Sequence, residues 1–354
     1  MTREELWAKQ LLRSEGYAKK VDRLIAEAIK EAIRIAMTVK ANPDKPFQFS
    51  HYPILTERVK RLFTRLAKDI ETVILTGEKA EWLHANAAND ELVDQVLKTL
   101  DVPKEILQKY RNQNLEALAT FQQRKTAGMN LSTRVWNLTQ QFQGELEMAL
   151  DIGLGEGRTA QQLSQDVRAY LNEPAKLFRR VRDKRGHLQL SKAAKNYHPG
   201  QGVYRSSYKN AMRLTRTEIN MAYRDADYQR WQDMDFVVGF QVKRSNHFYD
   251  CPVCDAFVGR YPKEYKFVGQ HPNCRCVAVP ILATKDEIDA YLSTYLGDES
   301  KPLKSSYEVK RMPQGYLDWI KDNTTRISKM ANQPYFVKDN FRDGKITGGL
   351  KLNL

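Results

Sequence analysis

The sequence predicts a mainly α protein: an elongated N-terminal helical bundle, then a small α+β module on a zinc-stapled β-hairpin, then a helical or extended C-terminal tail. Three observations carry that expectation. Apolar residues recur at helical spacing through about the first 170 residues. Two short segments rich in β-branched and aromatic residues, Phe236–Lys243 and Cys276–Leu282, flank a cluster holding every cysteine of the chain. Towards the C-terminus the period weakens and polar connectors take over. The expected boundaries are 1–157, 158–283 and 284–354.

In chain order, Thr2-x-x-Glu5 is a capping-box pattern, and Tyr17, Val21, Leu24, Ala28, Ile29, Ala32, Ile33 and Ala36 mark one long amphipathic helix behind it. Asn42-Pro43-Asp44-Lys45-Pro46 breaks it, and a loop runs to about Pro53. A second helix is expected over Leu55–Val73 and a third around Trp82–Leu100. Asp101 before Pro103 predicts a further helix start. Another helix covers about Leu131–Ile152, closed by Gly153, Gly155 and Gly157, and Thr159-x-x-Gln162 opens a short one to about Leu171. From Lys176 to Gly202 the pattern lapses. Tyr208–Asp233 reads as a helix, followed by the two strand-like segments. Thr284-x-x-Glu287 caps a short helix to about Leu296, and one more begins near Pro313. The last twenty residues show no sustained period and read as an extended tail that orders on a partner.

At 354 residues the chain can bury two or three cores, and no stretch approaches the ~20 apolar residues of a membrane span. The net charge of +14 is concentrated: Lys176 to Arg216 holds twelve basic residues against the single acid Asp183. Arg179, Arg180, Arg182, Lys184, Arg185, Lys192, Lys195, Arg205 and Lys209 are candidate contacts for nucleic acid or an acidic partner, with Tyr197, Tyr204 and Tyr208 interleaved for stacking. A solvated basic linker is the plain alternative.

All four cysteines fall within 26 residues, as Cys251-Pro-Val-Cys254 and His271-Pro-Asn-Cys274-Arg-Cys276. Zinc favours four thiolate or imidazole ligands in a tetrahedron, and a Cys-x-x-Cys knuckle supplies two from one turn. Five candidates, Cys251, Cys254, His271, Cys274 and Cys276, compete for four positions in a closed, structural site. Cys274 and Cys276, two apart in an extended segment, project to the same side, which favours a four-cysteine set with His271 hydrogen-bonded nearby. Disulfides or unliganded thiols are the alternatives. The charged N-terminus lacks an apolar signal segment, so a reducing compartment is expected, where stable disulfides are rare.

Arg216-Thr217-Glu218 on a helix, then a strand, Cys251-x-x-Cys254, and the string His271-Pro-Asn-Cys274-Arg-Cys276 together resemble the phage Mu F-like head morphogenesis family, with Gly259 at the family's glycine position. Members are minor capsid proteins of tailed bacteriophages and prophages. The resemblance covers about Thr159–Leu282, and 158–283 is expected to be that domain. It implies a low-copy, non-enzymatic head protein associated with the portal protein and other head proteins. DNA is a further contact, and no small-molecule substrate is expected. Such a protein resides in the bacterial cytoplasm during assembly and then in the virion head.

Arg216 and Glu218, two apart on a helix, do not face each other, so each is expected to pair elsewhere, with the zinc module as a target. Arg275 is expected to pair with a carboxylate such as Glu218. Two other readings stay open: a zinc-containing nucleic-acid-binding module, and a nuclease of the His-Asn-His kind using His271 and Asn273.

Overall fold

The computed structural model describes residues 2–42, 45–155, 157–173, 181–182, 185–186, 188–189, 206–245, 250–296, 302–330, 332–342 and 345–346. The protein is mainly α with a small three-stranded antiparallel sheet. The helices are α1 (Arg3–Ala36), α2 (Pro53–Leu97), α3 (Lys104–Tyr110), α4 (Leu115–Gln123), α5 (Leu131–Gly155), α6 (Ala160–Asn172), α7 (Ser207–Asp233), α8 (Pro252–Ala256), α9 (Lys285–Leu296), α10 (Gln314–Ser328) and α11 (Tyr335–Asn340). Two-residue strands β1 (Val181–Arg182) and β2 (Leu188–Gln189) pair with each other. The main sheet has the order β4 (Gly259–Tyr261), β3 (Val237–Lys243), β5 (Val277–Leu282), and β6 (Phe341–Arg342) pairs with β7 (Lys345–Ile346). Among the described residues no helix is long and apolar enough to cross a membrane.

All three capping boxes form. The Thr2 hydroxyl accepts the Glu5 amide at 3.1 Å while Glu5 accepts the Thr2 amide at 2.9 Å. Thr159 with Gln162 and Thr284 with Glu287 repeat that exchange, satisfying amide groups that a helix start leaves unpaired.

The second and third expected helices are one: α2 runs unbroken through Thr76-Gly77. A lone glycine inside a helix costs only about 1 kcal/mol, and Ile74, Glu78, Glu81 and Trp82 are buried on either side of it, so packing overrides it. Helix α3 starts at Lys104 after Pro103, without a side-chain cap from Asp101. The elements α4, α8 and β4 carried no sequence signal, being too short to show a period. The expected extended tail is corrected over Tyr335–Asn340, which folds as α11 with Phe336, Val337 and Asn340 buried. Residues 347–354 lie outside the described residues.

The chain divides into two compact units: one from Met1–Ser14, Thr76–Gln122 and Thr217–Leu354, the other from Glu15–Leu75 and Gln123–Arg216. These segments interleave along the chain, because α1, α2 and α7 each contribute to both. Helical periodicity shows which face is buried, not where along a helix the packing partners change.

Among the described residues the second unit is helical apart from the β1–β2 pair. Ile25, Ile29 and Ile33 of α1 pack with Phe63 and Ile70 of α2, Leu146 and Leu150 of α5, and Val167 of α6 in one core. Its carboxylates work locally. Glu145 is 4% exposed and accepts the amide and hydroxyl of Ser207, the first residue of α7, where a negative charge also suits the helix dipole. Asp151 accepts the Phe47 amide at 2.7 Å and Glu147 that of Phe49 at 3.2 Å, holding the loop after α1.

In the first unit β3 is central, paired antiparallel to β5 through Phe240↔Pro280 and Val242↔Ala278, and to β4 through Phe240↔Tyr261. An aromatic core of Phe240, Phe257, Tyr261, Tyr265, Tyr316 and Phe336 joins this sheet to α8, α10 and α11. A polar seam lies between α2 and α7. The Asn89 side chain donates to Asp227 at 2.6 Å and accepts the Trp231 indole at 2.9 Å, and fully buried Arg230 reaches Asn86 at 2.8 Å and Asp90 at 2.6 Å. Trp82 of α2 is fully buried and donates its indole N–H to Gln113 O at 2.8 Å. Trp82→Ala is therefore expected to cost about 3–5 kcal/mol, read as a lower urea midpoint with an unchanged slope.

Candidate metal centre

Cys251 caps the N-terminus of α8, where Pro252 sits in the first turn with no amide to leave unpaired, and Cys254 follows one turn later. The remaining donors come from the irregular segment between β4 and β5. Here the Cys274 amide bonds to His271 O at 3.0 Å, and Asn273 adopts a left-handed φ of 60° that closes the turn.

The two halves converge. His271 Nε2 lies 3.2 Å from Cys251 Sγ and 3.1 Å from Cys254 Sγ, and Cys254 Sγ lies 3.9 Å from Cys274 Sγ. Cys251, Cys254 and His271 form one group able to hold a metal ion, and Cys254, Cys274 and Cys276 another, so Cys254 belongs to both. All four cysteines are buried and free.

The donor chemistry fits a metal. The Cys254–Cys274 separation of 3.9 Å is close to the edge, about 3.8 Å, of a tetrahedron with metal–sulfur bonds of about 2.3 Å. His271 Nδ1 lies 2.9 Å from Pro272 O, and a carbonyl only accepts, so Nδ1 carries the proton and the Nε2 lone pair faces the two sulfurs. The Pro272 carbonyl thus orients the ring and leaves Nε2 free to serve as a ligand. His271 therefore stands within the donor cluster, whereas the sequence favoured it as a neighbour of a four-cysteine set.

Electrostatics split the cluster, lowering the Cys274 thiol and raising those of Cys254 and Cys276. Hydrogen bonds from Cys254 and Cys276 hold the Cys274 thiol well below its ordinary range, against burial, with the Arg224 guanidinium adding to the effect. Cys254 is pushed up, first by its hydrogen bond to Cys274.

The segment from Pro262 to Cys276 has no strand partner, so its backbone groups need side chains to satisfy them. One stripe of α7 supplies most of these. The Thr217 hydroxyl accepts the Asn273 amide at 2.9 Å, and Arg224 donates to Val268 O at 3.1 Å and to Cys274 O and Cys276 O at 2.8 Å each. Gln232 donates to Lys263 O at 2.7 Å. From elsewhere, the Trp7 indole donates to Arg275 O at 2.9 Å, and the Asn340 amide both accepts from and donates to the Lys266 backbone at 2.6 and 2.9 Å.

The structural residues expected from the sequence, Arg216, Glu218 and Arg275, take up separate positions. Arg216 makes a two-pronged ion pair with Glu15 of α1, at 2.7 and 2.8 Å. Glu218 is buried on α7. The expected Arg275–Glu218 pair is not among the ion pairs of the described residues, and residue 275 serves through its carbonyl. Arg224, Trp7 and Asn340 were missed. Only the spacing of Thr217 and Arg224, seven apart on one helix face, could have flagged the first of them.

Of the basic candidates, Arg179, Arg180, Lys184, Lys192, Lys195 and Arg205 lie outside the described residues, as do Tyr197 and Tyr204. Arg182 is on β1, its side chain outside the description; Arg185 is exposed, and Lys209 and Tyr208 are half-buried on α7. Comparisons with protein-family models, curated proteins and solved structures find no match.

Gly269 (φ 118°) lies where a Cβ would stand 2.5 Å from Arg224 Nη1. Gly269→Ala is expected to lower stability by about 1–3 kcal/mol in urea melts, from backbone strain and displacement of Arg224. Gly16→Ala, inside α1 with nothing within 4 Å of the new methyl, is expected instead to raise stability by about 0.5–1 kcal/mol.

Proposed function

We propose that this protein is a minor head-assembly component of a tailed bacteriophage or prophage, of the Mu F-like kind. In this reading a structural Zn2+, held by four of Cys251, Cys254, His271, Cys274 and Cys276, makes the segment after β4 a rigid docking piece for the portal ring. DNA is the further contact, through the basic stretch from Lys176 to Arg216.

One observation carries the reading. The separated parts of the motif meet in space: the Cys-x-x-Cys turn and the His-Pro-Asn-Cys-Arg-Cys string gather into one donor cluster, and Thr217 of the Arg-Thr-Glu element accepts the amide of Asn273 in that string. Zinc is favoured as the ion because thiolate-rich, buried donor sets select it, and because a closed set suits a structural site.

The nuclease alternative asks His271 to activate water. Both its ring nitrogens are already engaged, Nδ1 by Pro272 O and Nε2 by two cysteine sulfurs, which weighs against that role.

The direct test is co-purification of the tagged chain with the products of neighbouring genes. A portal ring is expected to come down with it, and a protein that cuts plasmid DNA with added magnesium, dependent on His271, would refute the assembly reading. Elemental analysis of reduced, folded protein is expected to find about one zinc per chain. Because Cys254 belongs to both donor groups, Cys254→Ser should release the metal and unfold the module, while Cys251→Ser, which leaves four donors, should retain part of it. Equal retention by the two variants would exclude this arrangement.

A further inference from the structure

Arg224 is 5% exposed, and among the described residues it forms no ion pair with a carboxylate. Asp227, one turn along α7, is taken by Arg3 at 3.1 Å and by Asn89. A buried guanidinium without a counter-charge is costly, so its position needs an explanation. Three hydrogen bonds tie it to the carbonyls of Val268, Cys274 and Cys276, the last two belonging to candidate ligands. Its flat faces are covered, with the Trp7 ring centroid 4.5 Å away and that of Phe267 5.2 Å away. Trp7 in turn bonds to the carbonyl of Arg275, the residue between those ligands. Gly269 has no side chain, and any Cβ there would occupy the guanidinium's place.

We infer that Arg224 is the positioning residue of the metal centre. Its fork fixes the Cys274–Cys276 segment, and its charge balances the net negative charge of the metal–thiolate cluster. A divalent ion with three thiolates and a neutral imidazole carries one negative charge, and with four thiolates it carries two. Either form supplies the counter-charge that no carboxylate provides. Trp7 and Phe267 exclude water from the pair and so strengthen it. Since Trp7 lies on α1, the first turns of that helix are held to the ligand segment through the same arginine.

The inference rests on the metal-binding reading above, and the test separates the two. Wild type is first titrated with Zn2+ against a chromophoric chelator, and with Co2+ while the thiolate-to-metal charge-transfer band is recorded. If wild type takes up neither ion, the metal reading itself fails. Given uptake, Arg224→Gln is expected to bind zinc about 10–100-fold more weakly. Its cobalt band should move to lower energy, because loss of the nearby positive charge raises the sulfur lone pairs. Arg224→Lys keeps the charge but carries its three N–H donors on one nitrogen and loses the planar fork, so its band should stay near that of wild type while its affinity falls between the two.

A merely structural arginine would leave the band in place. Zinc affinity of Arg224→Gln within about twofold of wild type, with an unmoved band, would overturn the inference. If Arg224→Gln cannot be isolated folded, Arg224→Lys decides alone: wild-type zinc affinity in that variant rejects the role of the fork.

Discussion

The segment from Pro262 to Cys276 must bury its backbone without a neighbouring strand, and that requirement organises the first unit. A buried amide or carbonyl left unpaired costs as much as several ordinary contacts contribute. The chain meets it with side chains from three elements distant in sequence: Thr217, Arg224 and Gln232 on α7, Trp7 on α1 and Asn340 on α11. Each is buried or half-buried and each bonds to main chain, so the segment is held by its surroundings. Donors carried by such a segment arrive preorganised. Cys274, Cys276 and His271 lie close to the α8 cysteines, in groups able to hold a metal ion.

Glycine completes that packing at two points. Gly269 makes room for the guanidinium of Arg224, and Gly259 opens β4 at a φ of 153° where a Cβ would meet Pro313 at 2.6 Å. Pro313 precedes α10, whose Tyr316 and Trp319 pack against Phe257. The close approach at Gly259 and the aromatic core thus support the same turn, one residue pair away from the Cys-x-x-Cys knuckle. Gly259 therefore has a packing reason that is independent of any partner.

The second unit follows a simpler logic, with apolar stripes on α1, α2, α5 and α6 forming its core and the carboxylates of Glu145, Glu147 and Asp151 on α5 receiving main-chain amides. Arg216 belongs to this unit and pairs with Glu15. Its neighbour Thr217 contacts the segment that carries Cys274 and Cys276. Three adjacent residues on a helix point in three directions, so a motif that is contiguous in sequence serves separate contacts in space.

Much was legible from local rules alone. Hydrogen bonds between near neighbours fixed the three capping boxes, helical periodicity fixed α1, α5, α6 and α7, and β-branched content fixed β3 and β5. Cysteine spacing identified the donors, because a metal site needs several ligands from one short turn. What the sequence could not supply were interactions between residues far apart along the chain. The continuity of α2 through Gly77, the folding of α11, the pairing of Arg216 with Glu15 and the placement of Arg224 under the ligand carbonyls all depend on which surfaces meet. Burial decides these, and burial is a property of the assembled chain; a periodic pattern says that a face will be covered but leaves open by what.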